Sequence, residues 1–209
     1  MIEIVKPMDI EKRSFEIIGS ILSERGITLD EEKAPIIKRV IHTTADFEYV
    51  DNLVFSENAV QIGLDALRSG CCIVTDTQMA KSGINKTALA KLGGEAFCFM
   101  SDEDVAEEAK ARGVTRAMVS MEKAALLEKP IIFAIGNAPT ALIALDELIK
   151  AKKLAPKLII GVPVGFVNVV ESKELIIASG VPHIVARGRK GGSNVAAAIV
   201  NALMYKLTR

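Results

Sequence analysis

The sequence predicts one α/β domain built on a doubly wound, mainly parallel sheet of five strands. Five short apolar runs carry the prediction: CCIVT at 71–75, EAFCF at 95–99, IIFAIG at 131–136, LIIGV at 158–162 and HIVAR at 183–187. Between them lie amphipathic or alanine-rich segments of helical length, the pattern of strands joined by crossover helices. Composition supports the same class. Half of the 209 residues are apolar but only 4% are aromatic, so Ile, Val, Leu and Ala must build the core, and those types suit strands buried on both faces. The length allows one sizeable core and is short for two. No repeat, low-complexity tract or Pro/Gly/Ser-rich linker divides the chain, so residues 1–209 read as a single domain.

The elements before the first run read as a helical cap on that domain. Asp9 is placed to cap a helix whose stripe is Ile10, Phe15, Ile17, Ile18, Ile21 and Leu22, and Gly26 supplies its stop. A second helix starts near Asp30, with Pro35 either interrupting or opening it, and Ile36, Ile37, Val40 and Ile41 lead into His42. Ser56 is placed to cap a third helix that ends at Gly70. Later, Ser101 and Asp104 have the spacing of a capping box, and Pro139 stands at a first helical position.

Several function classes fall away. Lys+Arg 26 against Asp+Glu 26 leaves no global positive field for general nucleic-acid binding, so any anion site is local. Three cysteines, with Cys71 adjacent to Cys72, match neither a disulfide framework nor a C-x-x-C metal or dithiol motif, and read as buried thiols of a reducing compartment. The N-terminal MIEIVKPMDIEKRS has no apolar signal region and no stretch approaches a membrane span, so a soluble, cytoplasmic protein is expected. The two histidines form no ligand cluster such as H-E-x-x-H, which argues against a protein-held metal. P-loop, dinucleotide and G-x-S-x-G patterns are missing as well.

In an open parallel sheet, ligands collect at the loops leaving the carboxyl ends of the strands. Here those loops are DTQMAKSGINK, MSDED, NAPT, PVGFVN and GRKGGSN. The strongest signal is Arg187-Gly188-Arg189-Lys190-Gly191-Gly192-Ser193: three cations in four residues at a strand end, ahead of a helix whose first N–H groups also favour anions. It reads as a carboxylate or phosphate clamp, or else as a solvated turn. Topology places Lys81, Lys86 and Arg116 around the same mouth. His183 starts a strand and reads as structural. His42 is followed by Thr43, Thr44 and Asp46, which can hold its tautomer, and both a functional and a satisfied, partly buried histidine fit that setting. Asp46, Glu48 and Asp51 read as solvated carboxylates before acid/base partners. Phe166 and Val167, beyond a strand end, suit the core, a pocket lining or a two-fold interface.

Lys12-Arg13-Ser14-Phe15, RVIHTTADFEY at 39–49, VTDTQMAKSGI at 74–84, VTRA at 114–117, GNAPTAL at 136–142, GVPVGFVNVVESKE at 161–174 and RGRKGGSNVAAA at 187–198 follow one another in an order that resembles the precorrin-8 methylmutase family. The resemblance runs from about Asp9 to the C-terminus. It implies a three-layer α/β/α fold, a homodimer, no cofactor, and a methyl shift from ring carbon eleven to ring carbon twelve of precorrin-8 or its cobalt form. His42 matches the family's general acid. Ser14 and Arg116 match positions that face the corrin, and Arg187, Arg189, Gly191 and Gly192 match its basic loop. Asn85 stands where some members carry threonine.

Overall fold

A computed structural model describes residues 6–208. Helix α1 (Ile10–Glu24) follows a single 3-10 turn and packs on α2 (Ala34–Thr44); a short α3 (Tyr49–Asn52) leads into β1 (Leu53–Phe55) and α4 (Ala59–Arg68). The alternating part then runs β2 (Cys72–Thr75), α5 (Gln78–Gly83), α6 (Lys86–Lys91), β3 (Glu95–Phe97), α7 (Glu103–Arg112), α8 (Arg116–Ala124) and β4 (Ile131–Ile135). It continues through α9 (Pro139–Lys150), β5 (Leu158–Gly161), α10 (Val169–Ala178), β6 (His183–Ala186) and α11 (Ser193–Thr208).

All five expected strands form, each within one or two residues of its apolar run. The sheet nonetheless has six strands, in the order β1-β6-β5-β4-β2-β3, with β1 antiparallel to β6 and every other pair parallel. Leu53-Val54-Phe55 is too short to show a period of its own, and only its pairing with Ala186, Val185 and Ile184 makes it a strand. The N-terminal region is therefore a helical cap that also supplies one sheet edge.

Side-chain alternation sorts the core into two layers. Ile132 and Ala134, Leu158 and Ile160, and Ile184 and Ala186 face one cluster with α2, α4 and α11, whereas Ile131, Phe133 and Ile135, Ile159 and Val185 face another with α8, α9 and α10. Both sheet faces are covered, which is why the strands read as unbroken apolar runs and why the fold is three-layered. Each fully buried Ile or Leu removes enough apolar surface to stabilise by roughly 1.5–3 kcal/mol. All three cysteines are buried and free, and burial pushes the Cys71 thiol up to about 12. No described helix is long and apolar enough to cross a membrane.

The expected caps need correction where a side chain found a better tertiary partner. Asp9 occupies the N-cap position of α1 but makes no side-chain cap bond. Gly26, at φ 68, ends that helix as expected. The Asp30 carboxylate accepts the N–H groups of Glu32 and Lys33 in a turn ahead of α2, which Pro35 opens rather than interrupts. Ser56 caps nothing: its hydroxyl accepts the N–H of His183 at 2.9 Å and so locks the β1–β6 edge, while α4 begins after Asn58. The cap position of α7 is Asp102, not Ser101; Asp102 makes no side-chain cap bond, and both Asp102 and Asp104 bind Lys123.

Candidate active site

Ser14 on α1 and His42 in the last turn of α2 meet across the helix pair, with Ser14 Oγ 2.7 Å from His42 Nδ1. The Phe15 ring stacks on the imidazole at 5.4 Å between centroids and 20° between planes. Arg39, one helical turn before His42, lies over the other partner of that stack, 4.8 Å from the Phe15 centroid, and is held by two bonds to Glu11 at 2.9 and 3.0 Å. Among the described residues His42 Nε2 has no hydrogen-bond partner. Thr43 and Thr44, expected to hold the ring, bond back to the carbonyls of Arg39 and Val40 instead. The histidine lines an open cavity of about 540 Å³ whose other walls include Ile10, Ser14, Ile17, Ile41 and Phe47. Ile10 and Ile17 remain 55% and 43% exposed, so the rim is apolar.

The basic loop is fastened to this region by charge. Lys190 Nζ lies 2.6 Å from Asp46 and 2.8 Å from Glu48, just beyond α2, and the Lys190 hydrogen bond holds the Asp46 carboxyl below its ordinary range. The two carboxylates are thus ion-paired rather than simply solvated. Arg187 is paired as well, bonded to Glu174 at 2.9 and 3.2 Å. Of the three loop cations only Arg189 has no carboxylate partner among the described residues; its guanidinium lies 5.9 Å from the Phe166 centroid. Phe166 and Val167 are 83% and 78% exposed, which excludes the core reading for both.

Close packing shapes the loop. A Cβ on Gly191 would fall 2.0 Å from the Val162 carbonyl oxygen, and Gly192, at φ 143, donates its N–H to that same oxygen. Between the switch-point strands β2 and β4, where a doubly wound sheet opens its crevice, the space is filled by the protein itself. The buried Asp76 carboxylate accepts N–H groups from Gly136, Asn137 and Ala138, and a Cβ on Gly136 would meet Ser193 at 2.6 Å. Desolvation pushes the Asp76 carboxyl up against the opposing pull of those three bonds.

The remaining expected site residues are dispersed. Arg116 is exposed at the start of α8, next to the Thr115 to Thr140 hydrogen bond, and borders an open groove against α7. Lys81 is half-buried on α5 and Lys86 exposed at the start of α6. Among the described residues none of these three cations has an ion-pair partner, and none bonds to the RGRKGG loop. Asn85 caps α6 through Ala88 and is fastened by Asn201 and Tyr205, which lie about 12 and 18 Å along α11 from Ser193. Its amide is therefore spent on holding helices together. No group of three or more His, Cys, Asp or Glu that could hold a metal ion occurs among the described residues.

Sequence reasoning missed Lys173. It is 0% exposed on α10, and its ammonium donates to the carbonyls of Gly188 and Lys190 at 2.7 and 2.8 Å. A signal was present: Val169, Ser172, Lys173 and Ile176 form the buried stripe of α10, so a charge occupies a core position of the helical period.

The precorrin-8X methylmutase (CbiC) family profile matches residues 9–206. The chain is 50% identical to the cobalt-precorrin-8 methylmutase of Salmonella typhimurium over 98% of this chain and 97% of the relative. It is 40% identical to the precorrin-8X methylmutase of Pseudomonas aeruginosa, over 93% of each. Its fold superimposes on the solved precorrin-8x methyl mutase of Thermus thermophilus with a TM-score of 0.85 and 38% identity, covering 96% of this chain and 98% of that one.

Proposed function

The chain belongs to the precorrin-8X methylmutase family and is an isomerase of cobalamin biosynthesis, and we propose that it shifts a methyl group from ring carbon eleven to ring carbon twelve of precorrin-8 or cobalt-precorrin-8 with His42 as general acid. The observation that carries this reading is the Ser14–His42 pair on an apolar cavity. In the acid form both ring nitrogens are protonated, so Nδ1–H donates to the Ser14 hydroxyl and the Nε2 proton is the one left to meet a macrocycle in the cavity. Phe15 keeps the ring from turning away. The methyl is already on the substrate, so the enzyme has only to hold the macrocycle and supply a proton that draws the migration toward the conjugated product. Histidine is the side chain most often used for proton transfer of this kind. Any cobalt enters inside the tetrapyrrole as part of the substrate.

Substrate carboxylates are anchored by Arg189, with Arg116, Lys81 and Lys86, unpaired among the described residues, as further cations and Ser14 at the cavity wall. Arg187 supports the loop through Glu174 and reaches the substrate only if that pair opens. Gly191 and Gly192 let the loop fold tightly, and Asn85 holds α6 in place. We place the enzyme in the cytoplasm as a homodimer that binds no nucleic acid. Supporting the dimer, a corrin exceeds what an open cavity of about 540 Å³ encloses, and Ile10 and Ile17 on its rim offer apolar surface to a second copy.

The test is turnover of cobalt-precorrin-8 followed by its visible spectrum, with product binding measured on the same samples. His42→Ala is expected to bind the corrin product within about threefold of the parent while losing roughly 10²–10⁴ in rate. An unchanged rate removes His42 as the proton donor, and binding by the parent without spectral conversion makes the protein a carrier.

A further inference from the structure

We propose that Lys173 is a positioning residue for substrate binding: by gripping the backbone on both sides of Arg189, its buried ammonium keeps that guanidinium aimed at a substrate carboxylate. The two carbonyls it holds, Gly188 and Lys190, flank Arg189 in the chain. Arg189's own carbonyl is also taken, by the N–H of Gly165 at 3.2 Å in the neighbouring loop. Three successive carbonyls are therefore pinned by protein donors, and the peptide planes on either side of Arg189 cannot rotate independently.

A lysine at a fully buried position is unfavourable unless its charge is matched by hydrogen bonds, and among the described residues no carboxylate bonds to it. Its ammonium bonds, among those residues, go to the backbone of this one loop. The two loop cations that have acidic partners, Arg187 and Lys190, bracket the segment from outside and tie it to α10 and to the turn after α2. Of the loop's three cations only Arg189 is left without a carboxylate partner among the described residues, and it is exposed on a loop that Lys173, Glu174, Asp46 and Gly165 hold in shape. A flexible loop would lose several rotatable bonds' worth of freedom when Arg189 engaged an anion; a loop pinned beforehand binds with that ordering already done.

The inference rests on the reading of Arg189 as a carboxylate anchor, and a double-mutant cycle separates the two. KM and kcat for cobalt-precorrin-8 are measured on the parent, Lys173→Met, Arg189→Gln and the double variant, with far-UV circular dichroism confirming the fold. Lys173→Met is expected to raise KM about tenfold with kcat within about twofold, Arg189→Gln to raise KM at least as much, and the double variant to match Arg189→Gln alone. Where Lys173→Met does not fold, Lys173→Gln carries the same cycle: its amide keeps two donors for the buried position but, one atom shorter and uncharged, grips the loop less well, and it is expected to raise KM about three- to fivefold, a rise that disappears in the Arg189→Gln background. If Arg189→Gln raises KM and the lysine change leaves it unaltered, or adds to it independently, Lys173 is not a positioning residue. If Arg189→Gln leaves KM unchanged, the anchor reading fails and the inference falls with it.

Discussion

Gly191 and Gly188 lie in the same loop, yet the structure gives alanine very different consequences at the two positions. A Cβ on Gly191 would stand 2.0 Å from the Val162 carbonyl oxygen and 2.8 Å from that of Pro163, where ordinary contact begins near 3.4 Å. The atoms met are backbone at the end of β5, which is buried in the sheet and has no free end to move. The loop must therefore retreat by about 1.4 Å, and two contacts go with it: the Gly192 N–H bond to Val162 O at 2.8 Å and the adjacent Lys173 bond to Lys190 O at 2.8 Å. Leaving a buried partner unmade is worth about 1–3 kcal/mol, so Gly191→Ala is expected to destabilise by about 3 kcal/mol. Gly188 sits at φ 77 with nothing within 4 Å of its would-be Cβ. Its alanine meets only the left-handed strain of about 1–2 kcal/mol, offset by roughly 0.4–1 kcal/mol from a stiffer unfolded chain, for a loss near 1 kcal/mol. Urea unfolding monitored by circular dichroism reads both, provided the m-values agree with the parent. Equal losses at the two positions, or a loss below about 1 kcal/mol for Gly191→Ala, would refute the claim that close approach shapes the loop.

Two further outcomes are expected. Ser14→Ala removes the bond to His42 Nδ1 and should lower kcat about tenfold; a parent-like kcat would show that the hydroxyl does not orient the ring. Burial pushes the Lys173 ammonium down to about 8 from an ordinary 10.5, so the unfolded chain binds this proton more tightly than the folded one. Measured against Lys173→Met, stability should thus be lowest below pH 8 and rise as the pH climbs toward 10.5, by at most about 2 kcal/mol between pH 7 and 9.5 because the two carbonyl acceptors favour the charged form. A difference that falls over that range would mean the lysine is not buried as a cation.

The parallel sheet was legible because strands covered on both faces leave a signature in one dimension, an unbroken apolar run that does not depend on knowing its neighbours. Helix ends that rest on backbone geometry were legible too, such as Gly26 and Pro139. The caps drawn from side-chain spacing fared worse. Ser56 had a partner in β6, 127 residues away, and Asp102 and Asp104 had one in Lys123, about twenty residues away. A polar side chain takes the best donor or acceptor in three dimensions, and sequence spacing ranks only the local candidates.

The same division runs through the candidate site. Charge density at a strand end singled out the RGRKGG loop, topology suggested Arg116 and the polar neighbours of His42 marked that histidine, whereas motif order led to Ser14 and to the family. Which cations remain for a ligand was decided by folding, since Glu174 and the Asp46–Glu48 pair neutralise Arg187 and Lys190 and leave Arg189. The short strand β1, the Ser14 contact that holds His42 across 28 residues, and the grip of Lys173 on the carbonyls either side of Arg189 came only from tertiary structure. Hydrophobic patterning is a property of each segment and can be read along the chain, whereas ion pairs and hydrogen bonds belong to pairs of groups whose distance exists only after the segments have packed.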